Sequence, residues 1–388
     1  MSRHDDLSAD EAASLLGISK QTLYAYVSRG LVQSTPGPGP SRARVYPRGP
    51  IEALRQGRTV TAPEKGAAAA MQWGLPVLES SLSLIEDGRL SYRGHDAVAL
   101  AAHGTLEDVA ALLWDAPPPV TFPAGRRHAG TDRPTDPIAS LVRMVAHEAT
   151  TTLAGSHTPH PVNVKHAARL VARAFAAVGG VGDGPLATRL ARSYGCDRSD
   201  VISAALVLCA DHELNVSAFT ARCVASADGG LEDAVLASLC AFRGHRHGGA
   251  GLQLAQVLTD AHTTDARQAV RRALAAFGEV PGFGHPLYPA GDPRAQELLR
   301  LVDWQDDPLL ATIVEICTHE LDAQPNLDFA LLALCSRLGL PDGAGMTTFA
   351  LGRLVGWIAH VFETWTSGTL IRPRARYVGP RPDLQSSQ

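Results

Sequence analysis

Apolar residues recur at spacings of three and four through most of this chain. That period predicts helices over 138–154, 164–179, 185–194, 199–210, 216–228, 231–242, 266–278, 294–302, 308–322, 327–338 and 347–366, separated by Gly and Pro breaks. Strict alternation of apolar and polar residues is not sustained, so the body is expected to be mainly α, without a parallel sheet. Residues 117–136, rich in Pro, Gly, Arg and Asp, read as a surface loop, and 59–72, ending in an Ala-rich run, as a linker. No internal repeat is present.

The first 58 residues follow another pattern. Ser8-Ala-Asp-Glu11 is a capping box that opens a helix through Leu16, which Gly17 ends. Ser19 caps a second helix, Lys20 to Arg29, closed by Gly30; two short helices joined by a tight Gly-containing turn make a helix-turn-helix. A Pro/Gly stretch at 35–40 leads into Arg42, Arg44, Val45 and Tyr46, which read as a wing, and 49–57 as a third short helix. The run Thr-Leu-Tyr-Ala-Tyr-Val-Ser-Arg-Gly-Leu-Val is similar to the winged helix-turn-helix of MerR and excisionase-type proteins. That resemblance implies DNA contacts from Lys20, Gln21, Thr22, Tyr24, Arg29, Arg42 and Arg44, with the second helix in the major groove. A docking module that binds no DNA is the other reading.

The chain's 388 residues suffice for two or three domains, and 45% hydrophobic with 19% charged residues is ordinary for a soluble globular protein. Abundant Ala and few aromatics favour close-packed helices. Net charge is −4, yet residues 1–58 carry eight Lys/Arg against five Asp/Glu, so +3 sits on the module and −7 on the rest. If any part meets nucleic acid, it is the module. The six cysteines, at 196, 209, 223, 240, 317 and 335, form no Cys-x-x-Cys pair and read as buried reduced thiols of a cytoplasmic protein. No apolar run approaches the roughly 18–20 residues of a membrane helix, and the polar start Met-Ser-Arg-His-Asp-Asp shows no signal peptide.

Chemistry concentrates in three segments of the C-terminal half: Gly-His-Arg-His-Gly-Gly-Ala at 244–250, Gly-Phe-Gly-His-Pro-Leu-Tyr-Pro-Ala-Gly-Asp-Pro-Arg at 282–294 and Gln-Pro-Asn-Leu-Asp-Phe at 324–329. They offer His247, His285 and Asp328. Two imidazoles and a carboxylate suit proton removal from a carbon acid, one group as base and two as donors to the oxygen that becomes charged. Taken alone, Asp328 also fits a helix-start carboxylate, His247 a capping residue or a metal pair with His245, and each arginine a surface ion pair. No nucleotide-cradling Gly-x-Gly-x-x-Gly opens a βα unit, and His157, His160 and His166 read as solvated polar residues rather than a metal site.

These segments resemble citrate synthase. So do Leu-Ser-Tyr-Arg-Gly-His-Asp at 90–96, Cys-Ala-Asp-His-Glu-Leu-Asn-Val-Ser-Ala-Phe-Thr-Ala-Arg at 209–222, Gly-Arg-Leu-Val-Gly-Trp-Ile-Ala-His-Val-Phe-Glu at 352–363 and Ile-Arg-Pro-Arg-Ala-Arg-Tyr-Val-Gly at 371–379, all in the family's order. The resemblance implies a two-domain helical fold, with a large domain at 73–248 and 339–380, a small domain at 249–338 and a tail at 381–388. It implies Asp328 as base, His247 at the thioester oxygen, His285 at the oxaloacetate ketone, and His212, Arg294, Arg353 and Arg372 binding oxaloacetate. Arg372 would reach across from the partner of a homodimer, acetyl-CoA would be a substrate, and no further cofactor or metal is implied. 2-Methylcitrate synthesis from propionyl-CoA is the near alternative, and a catalytically weak, metabolite-sensing DNA-binding regulator the distant one. The chain departs from the family at Cys209, usually His; at His245-Arg246, usually Pro-Leu; at Pro286-Leu-Tyr-Pro289, usually Arg-Val-Tyr-Lys; and at Phe329-Ala-Leu-Leu, usually Phe-Tyr-Ser-Gly.

Overall fold

The computed structural model describes residues 6–16, 18, 20–28, 32, 34–36, 44–48, 51–52, 78–126, 136–151, 155–375 and 377–379. The chain divides into two compact units, residues 1–79 with 373–388, and residues 80–372.

In the first unit, α1 (Ala9–Leu16) and α2 (Lys20–Ser28) accompany a small antiparallel sheet of β1 (Asp6–Leu7), β3 (Arg44–Pro47) and β2 (Thr35–Pro36), in that order. The expected capping box is formed: Glu11 Oε2 accepts from the Ser8 N–H and hydroxyl, and Ser8 Oγ accepts from the Glu11 N–H at 3.3 Å. Leu7, Ala12, Ala13, Leu23, Val32, Tyr46 and Ile51 make a separate small core. On α2, Tyr24 is exposed, whereas Lys20 is tied to Asp10 at 2.9 Å. Arg44 donates to Ser34 O at 3.1 Å. Arg29, Arg42, the Gln21 side chain, the linker 59–72 and most of the expected third helix lie outside the described residues.

The second unit is mainly helical. It opens on a hairpin, however, where the sequence pattern predicts no strand: β4 (Ser83–Glu86), β5 (Arg89–Tyr92) and β6 (His95–Asp96) form an antiparallel sheet. Asp87 and Gly88 both take positive φ, 49° and 74°, and this Asp-Gly turn joins two four-residue strands too short to register as an alternating run. Helices follow: α3 (Ala97–His103), α4 (Leu106–Leu113), α5 (Pro137–Ala149), α6 (His160–Ala177), α7 (Leu186–Tyr194), α8 (Ser199–Leu208), α9 (Val216–Ser226), α10 (Leu231–Phe242), α11 (Ala250–Thr263), α12 (Ala266–Phe277), α13 (Pro293–Arg300), α14 (Pro308–Leu321), α15 (Leu327–Arg337) and α16 (Ala344–Ser367). Every helix read from the periodicity of this unit is present; α3, α4 and α11 were not foreseen.

α16 is apolar on all sides because it is buried on all sides, against α4, α6, α8, α9 and α10. It can approach α8 because of two glycines. A Cβ at Gly352 would stand 2.5 Å from Leu206 O, and one at Gly356 would stand 2.2 Å from Ala210 O. Around α16 lies the large core, and a second core gathers Leu254, Val257, Val270, Ile313, Cys317 and Phe329 from α11, α12, α14 and α15. α15 feeds both, with Leu327 and Leu331 turned to the large core and Phe329 and Ala333 to the smaller one.

Three sequence expectations are corrected here. The loop 117–136 is not wholly on the surface: Val120 and Phe122 are buried, Trp114 meets Phe122, and Gly125 bridges to Gly182. The cysteines are free thiols but not uniformly buried, since Cys240 is exposed at the end of α10. His160 and His166 are not merely solvated, because His160 Nε2 lies 2.8 Å from Trp114 O and His166 pairs closely with Glu232.

Candidate active site

Short irregular segments between helices carry the three histidines, while Arg294, Asp328 and Arg353 stand on helices; hydrogen bonds fasten two such segments together. Gly284 N–H donates to Gln324 O at 2.7 Å, Asn326 N–H to Gly282 O at 2.9 Å, and Asn326 Nδ2 to Gly284 O at 3.0 Å. This staple sets the His285 loop beside the start of α15, where Asp328 sits in the first turn. Gly282 is required there, with φ 87° and no room for a Cβ, which would stand 2.7 Å from Leu254 Cδ2.

Asp292 organises two more groups. Its carboxylate accepts from Arg294 N at 3.0 Å, Nε at 2.9 Å and Nη2 at 2.7 Å, and from Leu327 N at 3.2 Å. Burial alone would raise Asp292, but the Arg294 ion pair outweighs it and holds the carboxyl below its usual range. Arg294 is thus oriented by a buried partner, with its guanidinium 5.4 Å from the centre of the Tyr288 ring.

The three histidines are neutral around pH 7. Burial, with repulsion from Arg353, pushes His247 down to about 3. Burial and Arg294 push His285 down to about 4, against a smaller opposing pull from Asp292. Burial followed by Arg294, His285, Arg353 and His247 drives His212 well below the usual imidazole range. His285 Nδ1 accepts the Leu287 N–H at 3.2 Å, which leaves Nε2 as the nitrogen that carries a proton. His212 Nε2 is 3.0 Å from the Tyr288 hydroxyl, and the His212, His285 and Tyr288 rings meet with centroids 5.0–5.6 Å apart.

His247 Nε2 lies 2.7 Å from Ser217 Oγ. The same hydroxyl accepts from Trp357 Nε1 at 2.9 Å and is 2.7 Å from Asn215 Oδ1, which also caps α9. Gly248 lets this turn close on Phe242, whose ring would be 2.2 Å from a Cβ.

Asp328 is half-buried, and no donor reaches its carboxylate among the described residues. Desolvation raises its pKa to about 7; Arg294 pulls it down, Asp292 pushes it up and Arg353 pulls it down. Arg353, on α16, donates Nε to Cys209 O at 2.7 Å, and its buried Nη2 has no partner among the described residues. Unpartnered buried guanidinium nitrogens are costly, so this one is poised for an anion.

Six of the seven candidate substrate and catalytic residues therefore converge. His212 is within electrostatic range of His247, His285, Arg294 and Arg353, and Asp328 of Arg294 and Arg353. Arg372 does not join them; it is exposed in the segment after α16. Sequence reasoning overlooked Ser217, Asn215, Tyr288 and Asp292 as parts of the site. For Asp292 the signal was Asp-Pro-Arg, a helix start that also carries an arginine; for Ser217 it was Asn-Val-Ser, an N-cap followed by a hydroxyl.

The chain resembles known proteins in sequence and in fold. A family model described as "Citrate synthase, C-terminal domain" matches residues 126–374. "Citrate synthase 2" of Bacillus subtilis is 35% identical over 192 residues, 47% of this chain; the chain spans about half of that relative, 51%. "Citrate synthase" of Haloferax volcanii is 29% identical over 368 residues, covering 79% of this chain and 95% of the relative. "2-Methylcitrate synthase" of Shewanella oneidensis is 32% identical over 192 residues, 47% of this chain and 51% of the relative. Among solved structures, the ternary complex of carboxymethyl coenzyme A and oxaloacetate with citrate synthase from Thermoplasma acidophilum superposes with a TM-score of 0.66. It has 21% identity, over 79% of this chain and 95% of that one, and so speaks for the fold. The chain belongs to the citrate synthase family.

Proposed function

We propose that the protein condenses acetyl-CoA with oxaloacetate and water to give citrate and CoA. The unpartnered buried Nη2 of Arg353, on a guanidinium that with Arg294, His247 and His285 lies within electrostatic range of His212, carries this reading: it suits a small dianion beside proton-transfer groups. Planar guanidinium forks suit the two oxaloacetate carboxylates. Asp328 takes a methyl proton from the thioester while His247 donates to the thioester oxygen. The enol carbon then attacks the oxaloacetate ketone, and the new alkoxide takes the His285 Nε2 proton. Water cleaves the citryl thioester and CoA leaves as its thiol. A carboxyl titrating near 7 is matched to a base working at neutral pH, and a neutral imidazole can give one N–H.

His212 and Arg294 complete the dianion site. The helical domains follow the family's division, with 249–338 as the small domain closing on 73–248 and 339–380 to exclude water. Arg372 is supplied across a homodimer, which accounts for its exposure in a single chain. The relative named 2-methylcitrate synthase supports a second reading in which propionyl-CoA is the better thioester. Two short helices and the three-stranded sheet in residues 6–52 support a winged helix-turn-helix that contacts DNA through α2 and β3, under control of oxaloacetate occupancy. No described helix is long and apolar enough to cross a membrane, and free thiols fit a cytoplasmic protein.

Purified protein with oxaloacetate and acetyl-CoA, followed by chromogenic detection of free thiol, tests the reading. Oxaloacetate-dependent release is expected, and a parallel run with propionyl-CoA names the preferred acyl chain. No release with either thioester, from folded protein that binds oxaloacetate, would overturn the enzyme in favour of the sensor.

A further inference from the structure

Four buried or largely buried ionisable side chains stand outside the chemistry just described. Asp211, the residue before His212, accepts from Ser83 Oγ at 2.6 Å and lies 3.1 Å from His360 Nε2. His360 Nδ1 accepts from Arg222 Nε at 2.9 Å. Since an arginine nitrogen only donates, the direction is fixed: Nδ1 is bare and Nε2 carries the proton given to Asp211. Arg222 pairs closely with Glu363, and Glu363 accepts in turn from Ser80 Oγ at 2.8 Å, Ser81 N at 2.7 Å and Ser81 Oγ at 2.9 Å. His360 and Asp211 are fully buried.

Buried ion pairs add little net stability over apolar packing of the same volume, so stability alone does not call for this chain of charges. Its placement is more informative. Arg353, His360 and Glu363 project from α16 over about three turns, roughly 15 Å of helix; Arg353 and His360 fasten that stretch to Cys209 and Asp211, and Glu363 ties it to Arg222, Ser80 and Ser81. Residues 209–213 hold the oxaloacetate groups: His212 follows Asp211, and the Cys209 carbonyl holds Arg353 Nε. Of the groups that face the thioester, Asp328 is anchored elsewhere, by the staple at 324–326. His247 hangs on Ser217, which among the described residues makes no bond to Asp211, His360 or Arg222 but is held by Trp357 of α16 and by Asn215.

We propose that His360, relaying between Arg222–Glu363 and Asp211, is a positioning residue for the oxaloacetate half of the site, setting His212 relative to Arg353. This rests on the citrate synthase reading above. Replacing His360 by an apolar residue leaves Asp211 and Arg222 buried without their common partner, so the 209–213 segment is freed to shift against α16. A shift of about 1 Å in a substrate-orienting group is enough to cost binding and rate.

The test uses the full-length chain with His360→Leu, His360→Gln and Glu363→Gln. Oxaloacetate Kd is measured by calorimetric titration, acetyl-CoA KM by thiol release and Tm by unfolding. H360L is expected to weaken oxaloacetate binding about tenfold or more while the acetyl-CoA KM stays within about twofold. H360Q, which keeps one donor and one acceptor, should recover part of the loss, and E363Q should weaken oxaloacetate binding in the same direction but less. A purely structural role would lower Tm and leave the Kd of the folded protein unchanged, and that result overturns the proposal. So does an equal loss for both substrates. If H360L does not fold, unaltered oxaloacetate affinity in E363Q decides against it. Failure of the wild-type protein to bind oxaloacetate would remove the functional reading and this inference together, whereas equal binding by wild type and H360L removes the inference alone.

Discussion

A carboxyl group of ordinary acidity would be a poor base for a thioester methyl, and the surroundings of Asp328 change that acidity. Desolvation lifts it to about 7, with Arg294 and Arg353 limiting the rise. Asp328→Ala should lower kcat by about 10²–10⁴-fold, the usual worth of a positioned base, while oxaloacetate Kd from calorimetry stays near wild type. Because only the ionised form accepts a proton, kcat should fall about tenfold per pH unit below about 7 and level off above it. The same shift fixes a stability trend. Between the ordinary value of 3.8 and about 7, the folded protein holds a proton that the unfolded chain has lost. The associated stability is therefore complete below the lower value and lost as pH rises through the upper one. Asp328→Asn should raise Tm at pH 8 and change it little at pH 4, so a loss of Tm at pH 8 would contradict the assigned cause. Ser217 invites a second test. Its hydroxyl has one proton and three neighbours; Trp357 only donates and Asn215 Oδ1 only accepts. For His247 to donate from Nδ1, Ser217 must give that proton to Nε2, or else Nε2 is itself the proton-bearing nitrogen and Nδ1 faces the thioester bare. Ser217→Ala removes the choice and leaves Trp357 Nε1 unsatisfied, costing about 1–3 kcal/mol. Under the proposed role for His247, kcat should drop by about tenfold or more with oxaloacetate Kd preserved. Unchanged kcat would show that Ser217 does not set the imidazole.

Elements differ in how much of their placement local sequence encodes. α10 and α14 were readable because period, acidic or capping residues at the start and breaks agree along a single stretch: Gly230 with Glu232 and Asp233 open α10, and Asp307 caps α14. α11 was overlooked because its apolar positions Leu254, Val257 and Ala261 form a narrow stripe after a glycine run. The β4–β5 hairpin was missed because four residues per strand give period two almost no room. His285 and Asp328 were visible as motif residues, whereas two of the three bonds in the staple that unites them run backbone to backbone and leave no trace in side-chain type. Ser217 and Asp292 act through neighbours distant in the chain, which spacing cannot reveal. Glycines on helices are the intermediate case, ambiguous in sequence and decided by packing. Gly356→Ala places a Cβ 2.2 Å from Ala210 O and 2.7 Å from Asp211 Oδ1, so α16 must move off the 209–211 segment. A loss of about 1–3 kcal/mol is expected in denaturant unfolding. Gly251→Ala, in the first turns of α11 with nothing within 4 Å of its Cβ, should instead be neutral or stabilising by up to about 1 kcal/mol. Matching signs for the two substitutions would refute the close-approach account of Gly356.

At the scale of the whole molecule, the site built by residues 80–372 is short of one predicted cation. Arg353 and Arg294 are buried among the histidines, while Arg372 stands exposed beyond the end of α16. In an isologous dimer each subunit presents the same surface to the other, so a segment that leaves its own site can complete its partner's. Co-expression of two damaged chains distinguishes this from an arginine serving its own site or none. Chains carrying Asp328→Ala and Arg372→Ala should each be nearly inactive as homodimers. In a mixed dimer, the site built on the Arg372→Ala chain keeps Asp328 and receives Arg372 from the other subunit, so it works. The second site lacks both groups. Random pairing at equal amounts makes about half the dimers mixed, each with one working site, so thiol release should recover to roughly a quarter of wild type. If Arg372 acts within its own chain, neither site of the mixed dimer is whole and activity stays at the level of the homodimers. If Arg372→Ala alone retains full turnover, the arginine is a surface residue and the dianion is held by Arg294 and Arg353 without it. The recovered fraction thus reports both that the protein pairs and which subunit the third arginine serves.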